Sequence, residues 1–194
     1  MSELSVGQLK GLLANNNVIT VPSGHTIYAP GSVIQVVNVE NTTRTTQTFT
    51  NGVILDIAGL SATITPKKAT SKIVIQARWF GEFGASPVTW DSMFGLSRNG
   101  TQVGRQTDGI GATNINGISI ATLTYYVADA NSTPETMSYF ISDSPNSTSA
   151  VTYQVTFIAS TGGTLFTNRT VGWTPGLGGH ELGVSSIMLM EVAQ

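Results

Sequence analysis

Between residues 60 and 83 apolar and polar positions alternate in two consecutive runs. Leu60, Ala62 and Ile64 alternate with Ser61, Thr63 and Thr65; after Pro66 and a polar connection at 67–71, Ile73, Ile75, Ala77 and Trp79 alternate with Lys72, Gln76 and Arg78. Period-2 alternation puts one set of side chains on one face of a strand. Two such runs with a short polar joint predict an antiparallel hairpin, dry on one face and wet on the other. Val74 and Phe80 interrupt the wet face and predict a second contact there, such as another subunit.

The same reading extends in both directions. Residues 32–39 form a near-continuous apolar run, expected as a strand buried on both faces or at a contact. Residues 41–50 are β-branched but almost wholly polar, which suits a solvated strand or a threonine ladder across a subunit contact. A strand over 90–98, the Asn99-Gly100 turn signal and a partner over 101–105 make a hairpin. Further strands are predicted at 118–127, with a bulge near Ala121, around Met137, Tyr139 and Ile141, at 151–157, at Leu165-Phe166 and at 184–192. A glycine-rich loop occupies 172–183, and Trp79 and Trp90 fall in strand patterns as core residues. Leu9, Leu12 and Leu13 give the best helical pattern, at 2–14, and the Asn, Pro and Gly breaks that follow make 15–31 an extended arm. Short strands with turn residues between them and almost no helix predict an all-β antiparallel β-sandwich, jelly-roll-like, with a short N-terminal helix or extended arm. The division expected is an attachment arm at 1–31 and a head at 32–194.

A chain of 194 residues suits one such domain. Charged residues make up 10% and net charge is −2. There is therefore no basic footprint for nucleic acid and no polybasic membrane patch. No apolar run reaches the roughly eighteen residues of a membrane-crossing helix, so no membrane insertion is expected. Only a few apolar residues follow Lys10 before 15–17, so no signal peptide is expected. The absence of cysteine excludes disulfides, thiol nucleophiles and cysteine-ligated zinc.

No nucleophile, phosphate-loop or zinc-protease motif is present, and no cofactor is implied. His25 and His180 are far apart in sequence, too few for a metal site unless three chains meet on an axis. Asp91, Asp108, Asp129, Asp143 and Glu181 sit in or beside turns, where Asp chiefly closes the backbone, and no carboxylate pair for glycoside hydrolysis stands out. The expectation is a protein that is not an enzyme. Trp173, Pro175, Leu177 and His180 lie in the longest irregular segment and are the candidate receptor contact. Aromatic loop residues offer large contact area at low entropic cost, although the plainer reading of Trp173 is a plug at the end of the sandwich. Leu9, Leu12 and Leu13 are the candidate docking stripe, too short to be stable unpacked.

Several phrases carry a resemblance: PSGHTIYAPGSVIQVV at 22–37, LSATITPKKATSKIVI at 60–75, RNGT at 98–101, DSPNSTSAVTYQV at 143–155 and SSIMLMEVA at 185–193. Together, in order and over most of the chain, they resemble small virion structural and tail-fibre-like proteins of tailed bacteriophages, especially those of aquatic hosts. The phrases are strand and turn sequences rather than catalytic motifs. The resemblance implies a homotrimeric β-sandwich head displayed on a virion, attached by its N-terminal segment to another tail or capsid protein and able to contact a host glycan or receptor. Two alternatives accompany it: a capsid decoration or cement protein of the same fold, and a lectin or carbohydrate-active protein.

Overall fold

A computed structural model describes residues 10–11, 13–16, 18–23, 25–84, 92–105, 120–122, 132–176 and 178–194. The strands in chain order are β1 (Val33–Asn41), β2 (Thr45–Phe49), β3 (Leu55–Ile64), β4 (Lys72–Gly84), β5 (Met93–Arg98), β6 (Thr101–Val103), β7 (Ala121–Thr122), β8 (Glu135–Asp143), β9 (Val151–Ile158), β10 (Gly163–Thr167) and β11 (Ser185–Val192). They form two antiparallel sheets, one of β1, β11, β4, β10, β2 and β8, the other of β3, β9, β5, β6 and β7. The chain is thus the all-β, jelly-roll-like sandwich that its alternation predicts. The one helical piece among the described residues is a 3-10 turn at Leu13–Asn15. The rest of the predicted leucine stripe lies outside the described residues, as do Trp90 and most of the predicted strand 118–127.

The hairpin expected across 60–83 does not form. β3 pairs with β9 in one sheet, whereas β4 pairs with β8, β10 and β11 in the other. The 65–71 connection therefore crosses between the layers, and the dry faces of the two alternating runs enter one core from opposite sheets. Alternation reports which face is dry; it does not distinguish strands bonded edge to edge from strands packed across a core. The hairpin at Asn99-Gly100 is present, with β5 bonded to β6 and both turn residues at positive φ, 50° and 82°, as a type I′ turn requires.

The inward-facing residues of both sheets make one core. Trp79, Phe83, Phe94, Phe157 and Phe49 pack as a chain of rings with centroids 5.0–6.2 Å apart. The Trp79 indole satisfies its N–H by donating to Thr167 Oγ1 at 3.0 Å. Trp79 is thus a core residue, as its strand pattern predicts. Two tyrosines keep their hydroxyls paired in the interior. Tyr139 donates to the Gly95 carbonyl at 3.0 Å and Tyr153 to Asp143 Oδ2 at 2.7 Å. Burial pushes both phenols well above their ordinary pKa, and the Asp143 carboxylate adds to the effect at Tyr153. Asp143 also meets Arg98 at 2.7 Å, so it belongs to a buried-edge network rather than to a solvated turn. Glu191, placed on the core face by the alternation of β11, is fully buried and accepts the backbone N–H of Lys67 and Lys68, capping the crossover between the sheets.

β4 organises the larger sheet. Its one edge bonds β8 from Ile73 to Gly81. Its other edge bonds β11 over its first half and β10 over its end. β1 and β2 flank these two partners in the same order. The run 32–39 is not buried on both faces: β1 is an edge strand with Val33 and Val36 exposed. Phe80 on the outer face of β4 is covered by the chain itself, because its ring lies against Gly183, leaving no room for a side chain there. Residues 168–184 leave the sheet between β10 and β11 and return to it, and this excursion is built on the outer face of the β2–β10 half.

Candidate functional site

The excursion is closed at its base by backbone pairing. Thr170 N–H donates to the Glu181 carbonyl at 3.2 Å and Gly183 N–H to the Asn168 carbonyl at 3.4 Å, bracketing the Arg169–Leu182 bridge. Asn168 is buried at φ 63°, a backbone conformation Asn tolerates better than most residues. Its amide nitrogen donates to the carbonyls of Asn41 and Thr43 at 2.7 and 2.9 Å, and its amide oxygen accepts Ser185 Oγ at 2.7 Å. One side chain thereby ties the β1–β2 joint to the β10–β11 joint. Glu82 reinforces this from below. It projects from the outer face of β4 yet is fully buried, accepting the N–H and hydroxyl of Thr133 at 2.9 and 2.8 Å and the N–H of Val171. Among the described residues its carboxylate is met by hydrogen-bond donors and by no cation, which holds the 133 and 171 segments against the sheet.

Strand parity then determines what the outer face displays. On β2 the even positions Thr46 and Thr48 point outward, with the exposed Arg44 just before the strand; on β10 Thr164 and Phe166 point outward, with Thr48 opposite Thr164 and Thr46 opposite Phe166. The Phe166 ring lies over Gly84, whose missing side chain gives it room. The Arg169 guanidinium covers that ring, with Cζ 4.6 Å from its centroid. Arg169 also stands 5.9 Å from the Trp173 centroid, and Arg44 lies over the same indole at 4.5 Å. Phe166, Arg169, Trp173 and Arg44 thus form a continuous array of rings and planar cations. Arg169 is fixed by donating to the Trp173 carbonyl at 3.2 Å and to Thr46 Oγ1 at 2.7 Å. Burial, and secondarily the like charge of Arg44, lower its pKa from the ordinary value. Among the described residues no carboxylate pairs with either arginine.

Trp173 is half-buried, outside the core, and packed against the two guanidinium groups. Pro175 is exposed in the turn beyond it, and Leu177 lies outside the described residues. His180 is half-buried with Nδ1 enclosed and without a hydrogen-bond partner, and among the described residues nothing joins it to Trp173. The structure groups Trp173 with Arg44, Thr46, Phe166 and Arg169. Of the docking stripe, Leu13 is 83% exposed, and Leu9 and Leu12 lie outside the described residues. Among the described residues no three His, Asp or Glu side chains converge as metal ligands, and no helix is long and apolar enough to cross a membrane.

No protein-family model matches the chain, and no curated protein matches it. Among solved structures, that of infectious bursal disease virus strain Gt is similar over 91% of this chain and 42% of that one, at 12% identity and a TM-score of 0.38. The strain Gx structure is similar over 91% of this chain and 46% of that one, at 13% identity and a TM-score of 0.34. The chain therefore spans under half the length of these structural neighbours, and likeness at this distance assigns no function.

Proposed function

We propose that this is a non-enzymatic virion structural protein, a homotrimeric surface fibre or spike head that docks on the particle through residues 1–31 and presents the 168–184 face to the host. The observation that carries this reading is the state of the N-terminal segment. Val18, Ile19, Val21 and Ile27 are exposed beside a sandwich that already has a complete core of its own. Among the described residues the segment's hydrogen bonds to the rest of the chain fall at its end. The Tyr28 hydroxyl bonds Gln194, and Gly31 N–H donates to the Ala193 carbonyl at 2.8 Å. Apolar side chains left in water beside a finished core favour a surface supplied by another protein, at about 1.5–3 kcal/mol for each large side chain fully covered. Three copies of the arm on one trimer multiply that gain through avidity. The sequence resemblance supports the same setting.

The test is decoration of particles that lack the protein. The full chain is expected to bind them and to co-purify. The full-length variant Val18→Ser/Ile19→Ser/Ile27→Ser is expected to stay folded, to keep a light-scattering mass three times the 20.4 kDa of one chain, and to fail to bind. Equal decoration by both proteins contradicts the docking role, and a monomer mass contradicts the trimer. Copy number in purified virions separates a fibre, present in few copies, from a shell decoration protein, present in many.

A further inference from the structure

We propose that the outer face of β2 and β10, with Arg44, Thr46, Arg169 and Trp173, is a binding site for an acidic saccharide, a sugar bearing a carboxylate or a phosphate. Two cations packed on one indole repel each other, and among the described residues neither has an anionic partner. A guanidinium has five N–H donors. Arg169 uses one nitrogen on the Trp173 carbonyl and another on Thr46, and among the described residues no hydrogen bond engages Arg44. An oxyanion between them relieves the repulsion and takes paired N–H bonds in the fork geometry that suits carboxylate and phosphate. The surroundings favour a sugar over a purely apolar ligand. Thr46, Thr48 and Thr174 are exposed on or beside this face, giving hydroxyls to meet hydroxyls, and Trp173 supplies a flat, partly open ring. Arg169 and Trp173 are held in place by the Asn168 and Glu82 anchors beneath them, so little ordering cost falls on binding.

This inference rests on the proposed display of the protein for the source of its ligand; the chemistry of the site is tested separately. The intact protein is titrated by calorimetry at low salt with three probes: trigalacturonate, its methyl ester, and mannose 6-phosphate. Binding of at least one anionic probe about tenfold tighter than the ester is expected, weakening steeply with added salt. Arg44→Gln, at an exposed position that leaves the fold alone, is expected to weaken anion binding about tenfold, and Arg169→Lys, which keeps the charge and removes the fork, by a similar factor. Equal binding of ester and acid overturns the proposal in favour of ring stacking alone. No binding of either anionic probe, or unchanged binding in Arg44→Gln, overturns it outright. A hexaglutamate peptide bound as tightly as the acidic sugars shows a general anion surface and overturns the saccharide assignment. Any of these failures with normal particle decoration removes the site and leaves the docking role standing; failed decoration with intact anion binding does the reverse.

Discussion

The described residues of 10–31 and of 168–184 both lie outside the two layers of the sandwich, and they are held in opposite ways. The N-terminal segment is apolar and loosely tied: Leu13, Val18, Ile19 and Ile27 face solvent, and its bonds to the rest of the chain cluster near Tyr28 and Gly31. The excursion is polar and firmly tied. Asn168 grips two neighbouring carbonyls, Glu82 collects the N–H of Thr133 and Val171, and Arg169 crosses to Thr46. Uncovered apolar surface on a segment beside a finished core is suited to folding onto a partner, where ordering is part of binding. A charged, aromatic face fixed beforehand is suited to discriminating a ligand, because its donors are already aimed. One chain thus carries two kinds of external surface, and the kind is legible from how the backbone behind it is anchored.

The anchors give the largest expected effects. Asn168→Ala strands two buried carbonyls and the Ser185 hydroxyl, and is expected to lower stability by about 3 kcal/mol, read as a shift of the urea midpoint at unchanged slope. Glu82→Gln keeps the shape but replaces one acceptor oxygen with a donor facing the Val171 or Thr133 N–H. A loss of about 1–3 kcal/mol is expected, together with faster proteolytic nicking between residues 172 and 183. If nicking is unchanged, the excursion is held by something other than Glu82.

The comparison also marks what the sequence could and could not carry. Alternation along β4, β9 and β11 was legible, because one face of each is dry. The excursion was legible as a loop from its glycines. The partner of β3 was not, since Leu60, Ala62 and Ile64 are equally dry in a hairpin and in a crossover between sheets. Trp173 was found from composition, but Arg44 and Arg169 were missed: they are 125 positions apart in sequence and meet only because β2 and β10 are neighbours. The available signal was Arg44 itself, a charge among threonines in a chain with few charges. The burial of Glu82 and Glu191 carries no sequence signal, because a carboxylate held by backbone N–H groups leaves no partner charge to detect.

Smaller effects sharpen the contrast. Trp173→Ala removes a half-buried ring from outside the core and is expected to cost less than about 1.5 kcal/mol while weakening binding at the arginine pair. A loss as large as that from Asn168→Ala makes Trp173 a structural plug instead. Val18→Ser/Ile19→Ser/Ile27→Ser touches side chains already in water, and a change within about 0.5 kcal/mol is expected, with the effect appearing only in particle decoration.

The central claim, that one region acquires its packing from the particle while the other brings its own, is tested most directly by amide hydrogen exchange on the full chain, free and bound to particles. In the free protein the amides of residues 18–27 are expected to exchange almost without protection, while Thr170, Val171 and Gly183 are protected to a large fraction of the global unfolding free energy. On the particle, 18–27 becomes protected and the excursion is unchanged. Protection of 18–27 in the free protein, or its continued rapid exchange on the particle, contradicts the account.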